Sequence, residues 1–319
     1  MKVLFISDHH IKLGQRKVPV SWAKNRFQQL WDKVVKVATD KGVATIFHGG
    51  DIFDDVPSMA ELEVYGNMLN AFADFDNILM PGNHEALKKG TSFLEHLQPL
   101  TPFPIVSKWM PEEEVLERFS IPNTSILPYT DLKKNIWHKG AKSKILFTHV
   151  RGEIPPHVIP EVPLELFDGW ETVYAGDLHS HELCQRNIVY PGSPIGTTFR
   201  RSEAKGTNGV LIIDTETNEW EFVDLDMPQL IKKTVYSEDE IIPTTPHHTV
   251  YELVGAETSM SKVEHSDLVD KKISNVDLVS ETVTIVEASA EEELSEYLTQ
   301  KEGITDPSPY VGLFKDIIL

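Results

Sequence analysis

Residues 46–55 read IFHGGDIFDD: an apolar run meets two glycines and then delivers Asp51 and Asp54. A short apolar run ended by glycines has the character of a buried parallel strand whose C-terminal end opens into a loop. The same pattern recurs on both sides. Residues 2–6 (KVLFI) are ended by SDHH, and residues 77–80 (NILM) are closed by PGNHE. Two stretches at helical spacing lie between these runs. Phe27, Leu30, Trp31, Val34 and Val37 mark one over 22–41, and Leu62, Tyr65, Met68, Leu69 and Phe72 mark the other over 59–73. Strand, helix, strand, helix, strand predicts a parallel sheet with right-handed crossovers. The loops at the carboxyl ends of such strands converge on one edge, where ligands bind.

Further along, residues 99–142 lose this regularity, with many prolines and the acidic run Glu112, Glu113, Glu114. They read as an excursion with a helix, and a strand before Leu127. Residues 144–148 (KILFT) deliver His149, and residues 172–175 (TVYA) deliver GDLHSH. Three more strands, at 188–190, 209–214 and 220–224, suit a second sheet packed on the first. After Pro228 the composition turns acidic. The expected organisation is an α/β domain over 1–227 and a smaller region over 228–319, with strands at 250–254 and 282–286 and a helix from about 290.

Thirty Lys and Arg face 49 Asp and Glu, a formal charge of −19. That field repels a phosphate backbone, so any nucleic-acid role must rest on local basic patches, metal ions or a partner. One such patch is Lys12, Arg16, Lys17, Lys24 and Arg26. The single cysteine, Cys184, excludes an internal disulfide framework. No run approaches the roughly 18 apolar residues of a membrane span. The opening MKVLFISD reads as a strand rather than a cleavable signal, so a cytoplasmic chain with no membrane role is expected.

Five strand ends offer Asp8 with His10, Asp51, Asn83 with His84, His149, and Asp177 with His179. Carboxylate, imidazole and amide together suit borderline divalent ions, and the lack of thiolates argues against a structural zinc site. Each motif alone has an ordinary reading: Asp54 or Asp55 can cap a helix, and GNHE can be a turn. Five in order, each after an apolar run, point to a metal centre. His9, between two candidate ligands, should point away from them.

DHH at 8–10, GDIFD at 50–54, GNHE at 82–85, THV around His149 and GDLH at 176–179 resemble the five signature blocks of calcineurin-like metallophosphoesterases. ILPY at 126–129, YPGSPIGTTF at 190–199 and KGTNGVLIID at 205–214 resemble the SbcD-type nuclease subunit of the DNA double-strand-break repair complex. The resemblance implies a four-layer α/β/β/α sandwich with a small C-terminal capping domain. It implies a two-metal DNA phosphodiesterase, exonuclease or endonuclease, acting in recombination or repair with an SbcC-type coiled-coil ATPase bound through the C-terminal part, and homodimerisation.

The resemblance also implies residue roles. One metal would be held by Asp8, His10, Asp51 and His179, the other by Asp51, Asn83, His149 and Asp177. His84 would act on the leaving oxygen, with Asp54 supporting the site and Glu85 orienting His84. Asp177 departs from the usual GHxH block, and the added negative charge favours Mn²⁺ or Mg²⁺ over Zn²⁺. A competing register pairs His179 with His181. Lys12, Arg16, Arg200 and Arg201, with Lys205, are candidate phosphate contacts or ordinary surface charges. A phosphomonoesterase or small-molecule phosphodiesterase is an alternative, and a non-catalytic scaffold is a third.

Overall fold

The computed structural model describes residues 1–87, 91–134, 137, 143–156, 158–255, 266–273 and 308. In it β1 (Lys2–Ile6) is followed by α1 (Val20–Lys41), β2 (Thr45–His48), α2 (Met59–Ala71) and β3 (Asp76–Leu79). The three strands pair in parallel, in the order β3-β2-β1. Local chemistry sets the helix ends. Gly42 closes α1 at φ 65°, its N–H donating back to Ala38 and Thr39 carbonyls. Ser58 and Glu61 open α2 with a reciprocal capping box.

The irregular middle contributes the short α3 (Phe93–His96), α4 (Glu112–Phe119), β4 (Thr124–Leu127) and α5 (Tyr129–Leu132). Then β5 (Ile145–His149), β6 (Thr172–Gly176) and β7 (Ile188–Val189) join β4 in a second, all-parallel sheet ordered β4-β5-β6-β7. β8 (Gly209–Asp214) and β9 (Trp220–Asp224) depart from the expected grouping. They leave the second sheet to β7 and return to the first, β8 antiparallel to β1 and β9 antiparallel to β8.

Side-chain alternation builds the layers. On β1, Leu4 and Ile6 pack with Leu30, Trp31 and Met68 of α1 and α2. Val3 and Phe5 face the second sheet, where Phe5 and Phe47 lie 5.3 and 4.5 Å, ring centre to ring centre, from Phe147. On β5 and β6, Leu146, Val173 and Ala175 turn outward to Leu132, Trp137, Phe167 and Trp170. The result is helix, sheet, sheet and a thin fourth layer, made of α5 and a 3-10 turn at Leu164–Phe167 rather than long helices. Sheets packed this way fix the strand ends that carry the candidate ligands.

A third sheet is parallel and ordered β10 (Leu230–Val235), β11 (His248–Gly255), β12 (Val269–Ile273). Its own core is Val235, Tyr251, Leu253 and Val269. The strand expected at 250–254 lies within β11. Two compact units divide the chain, Met1–Ile273 and Ser274–Leu319. The strand expected at 282–286 and the helix from about 290 lie outside the described residues. No helix among the described residues is long and apolar enough to cross a membrane.

Candidate active site

The loops after β1, β2, β3, β5 and β6 bring all seven predicted ligands and His84 to one edge. The turns are tight: Asp8, His10, Asp51 and Asp177 have φ of 58°, 46°, 50° and 98°. Side chains rarely adopt this left-handed region, at a cost of about 1 kcal/mol or more each, so surrounding bonds must hold them there. Asp8 N–H donates to Gly50 O and His10 N–H to Asp51 O, both at 3.0 Å. The Asp177 N–H donates to Asp8 Oδ1 at 3.0 Å, and the His84 N–H to Asp51 Oδ1 at 2.9 Å. Gly50, at φ 100°, has no room for a side chain, since a Cβ would come within 2.6 Å of His149 Nδ1.

Four imidazoles are oriented alike. Nδ1 of His149 lies 2.8 Å from Gly49 O and Nδ1 of His84 lies 2.6 Å from Asp54 O. A carbonyl only accepts, so those nitrogens carry the proton and Nε2 faces the cluster. Nδ1 of His179 is 3.2 Å from Thr197 Oγ1, and that of His10 is 3.2 Å from Asp54 Oδ1. This is the outer-shell arrangement that presents Nε2 to a metal. His10 and His179 Nε2 atoms face each other at 3.0 Å.

Asp51 is the hub, 1 % exposed, with Oδ2 at 3.5, 3.7 and 3.9 Å from Nε2 of His149, His10 and His84. Among the described residues, three overlapping groups are able to hold a metal ion: Asp8, His10, His179; His10, Asp51, His84; and Asp8, Asp51, His149. Asn83 Oδ1 lies 2.8 Å from His149 Nε2. Turned over, its amide nitrogen donates to His149, Asp51 and Asp177 at 2.8, 3.0 and 3.1 Å. With the oxygen inward, Asn83 Oδ1, the Asp51 and Asp177 carboxylates and His149 Nε2 converge, an arrangement that a proton on Nε2 or a bound cation stabilises. The donor set therefore fits divalent ions.

Charge coupling points the same way. Burial acts to raise the Asp51 pKa, but His149, then His10 and His84, outweigh it and hold the carboxylate well below its usual range. Burial acts to lower His149, yet Asp51, Asp8 and Asp177 raise it well above the ordinary value. The carboxylates pull positive charge into the cluster.

A calcineurin-like phosphoesterase family model matches residues 1–189. The chain belongs to this family. It is thus a phosphoester-hydrolysing enzyme of a class that uses divalent metals. It is 38 % identical over 311 residues to the "Probable exonuclease subunit 1" of Escherichia phage T5, covering 96 % of this chain and 94 % of the relative. A solved structure, TT1561 of Thermus thermophilus, is 13 % identical with a TM-score of 0.43, covering 70 % of this chain and 98 % of that one.

One residue of this phosphoesterase, Glu85, sits differently from expectation, while His9 and His181 turn away from the cluster as their positions predict. Glu85, fully buried, makes no hydrogen bond to His84; its carboxylate accepts from the N–H groups of Asp51, Gly82 and Phe53 at 3.0, 2.8 and 2.9 Å. It ties two ligand loops together, and the Asp54 carbonyl orients His84 instead. Burial, then Asp51, pushes the Glu85 pKa up to about 7, against the pull of the N–H donors. Asp54 also binds the Lys12 ammonium. His181 lies outside the cluster, stacked 4.0 Å from Phe222. His9 turns into the core against His48 and Trp31.

The basic residues do not form one face. Arg16 pairs with Asp270 at 3.2 Å, Lys17 donates to Ser266 and Val269 carbonyls, and Lys24 pairs with Glu63. Arg200 reaches Thr207 while its backbone pairs with Leu230 and Lys232, and Arg201 is exposed. Of the residues of the expected basic patch, Lys12 lies beside the cluster, bound to Asp54, and Arg26 is buried in a wall of the adjoining cavity of about 350 Å³. Sequence reasoning missed Thr197, Arg151, whose guanidinium meets Asp177 at 3.1 Å, and Ser193, whose hydroxyl donates to Asp8 O at 2.7 Å. Thr197 and Ser193 lie in the quoted 190–199 block; Arg151 carried no signal beyond following His149 by two positions.

Proposed function

We propose that this phosphoesterase is a DNA phosphodiesterase, exonuclease or endonuclease, working with two divalent cations, Mn²⁺ in preference to Mg²⁺. The observation that carries the reading is the position of Asp51, which reaches His10 and His149, from opposite halves of the cluster, with one oxygen. Asp8, His10 and His179 would complete one cation site with Asp51, and Asn83, His149 and Asp177 the other. When bound, the cations would hold the scissile phosphate, activate water and offset charge developing in in-line attack. Asp51 and Asp8 keep the cluster anionic. His84, its Nδ1–H fixed on the Asp54 carbonyl, aims Nε2 at the site and, protonated there, donates to the leaving oxygen.

The likeness to a relative named as an exonuclease subunit supports DNA as substrate and a partner subunit. On this reading the partner is an SbcC-type coiled-coil ATPase, the role lies in recombination or repair, and the phosphoesterase domain of 1–227 hands over to a partner-binding region from 228. The protein would work as a homodimer in the cytoplasm. The net charge of −19 favours a second reading, a smaller phosphoester substrate. Rates on linear and hairpin DNA with Mn²⁺, set against p-nitrophenyl phosphate, separate the two: faster turnover of p-nitrophenyl phosphate with intact DNA would sink the nuclease reading.

A further inference from the structure

Arg26 is a buried cation without an acid. It is 6 % exposed, in the second turn of α1, and no carboxylate among the described residues lies within ion-pairing distance. Nη1 donates to the carbonyls of Gly196 and Pro228 at 3.1 and 3.4 Å, and the guanidinium lies 4.8 Å from the centre of the Trp22 ring. Nε is buried without a partner, and Nη2 makes no hydrogen bond to the described residues. Burial lowers the Arg26 pKa to about 10, so the charge persists at neutral pH. Burying an ion without a counter-charge is unfavourable, so the position calls for an anion.

A purely structural role, tying the turns at Gly196 and Pro228, uses Nη1 alone. It leaves Nη2 unspent as a charge-assisted donor to a phosphate, and a small shift that uncovers the shielded Nε completes the two-bond fork. Arg26 lines the same cavity as His10, His84 and His179. Its volume, about 350 Å³, is of nucleotide scale. Thr198 adds a hydroxyl, and Phe27 and Ile195 give an apolar floor. The far wall is the 195–198 loop, fixed by Gln15 donating to Thr197 O at 3.1 Å and by Thr197 on His179.

We infer that this cavity is a subsite for a neighbouring phosphate of the substrate, one nucleotide along from the bond being cut, with Arg26 as its anion-binding group. The inference rests on the nucleic-acid reading of the site. It gives an acidic protein a local, buried means of holding a polyanion without a basic surface.

Calorimetry on the full chain with Mn²⁺, using thymidine 3′,5′-bisphosphate and thymidine 5′-monophosphate as probes, tests it. The bisphosphate is expected to bind about tenfold tighter, because only it fills both positions. Arg26→Met should reduce that advantage to about twofold or less, and Arg26→Lys, which keeps the charge but loses the fork, should cut it to about threefold. Equal binding of the two probes by the wild type overturns the subsite. So does a folded Arg26→Met or Arg26→Lys protein that keeps the full advantage, since Arg26 would then be a structural tie. DNA cleavage by the wild type is scored separately: a bisphosphate advantage without cleavage overturns the nuclease reading and leaves the subsite standing.

Discussion

Arg151 and Asp177 form an ion pair at the edge of the candidate metal site, with Nε 3.1 Å and Nη2 3.4 Å from the two carboxylate oxygens. Asp177 stands where the family pattern has a histidine, and the guanidinium offsets the negative charge this adds. Arg151→Ala should therefore leave Asp177 freer to ligate and raise Mn²⁺ affinity by roughly fivefold, about 1 kcal/mol, the pair being partly exposed. Titration calorimetry with Mn²⁺ checks this, and unchanged or weaker binding would count against it.

His84 and Asp51 should separate chemistry from metal binding. His84→Ala is expected to retain the bound ions and lose turnover by about 10²- to 10⁴-fold. Asp51→Ala should lose both ions, because its carboxylate lies between the two groups of imidazoles. Bound metal per chain, measured beside the rate, reads the difference. Near wild-type cleavage by Asp51→Ala would refute the assignment.

Glu85→Gln tests the tie between the 51–53 and 82–85 loops. An amide replaces one of the two accepting oxygens with a donor, which faces N–H groups already aimed at it. Loss of charge-assisted bonds in a buried site should destabilise the fold by about 2 to 4 kcal/mol. Chemical denaturation in EDTA reads it without a contribution from metal.

His48 predicts an acid-sensitive fold. Burial lowers its pKa from 6.5 to about 4, while the Asn77 hydrogen bond opposes the shift. Below pH 6.5 the unfolded chain takes up a proton that the folded chain refuses until about pH 4. The unfolded state binds more protons across that window, so stability falls as pH drops through it, by up to roughly 3 kcal/mol. His48→Gln should flatten this slope in denaturation series at pH 7.5, 6 and 5; an unchanged slope would assign it to other groups.

Much of this protein is legible in its residues. The first sheet's three parallel strands and both long helices follow from apolar runs and 3.6-residue spacing, because those patterns are local consequences of burying one face. The same patterns say nothing about which strand a later one joins. β8 carries as apolar a run as β5, yet it pairs with β1 rather than with the second sheet. β10 and β12, with their charged and mixed sequences, gave no strand signal and take their place through pairing with β11.

The sequence by itself determined the types and order of the candidate ligands, because each follows an apolar run that becomes a strand. Only the tertiary structure decided what stands behind them. Glu85 bridges loops instead of serving the histidine beside it, Thr197 holds His179 from a loop 18 residues away, and Arg26 turns inward from the expected basic patch. The physical reason is the same in each case. Hydrogen-bond partners and burial depend on which loops the two packed sheets bring to one edge, and no local pattern of residue types records that neighbourhood.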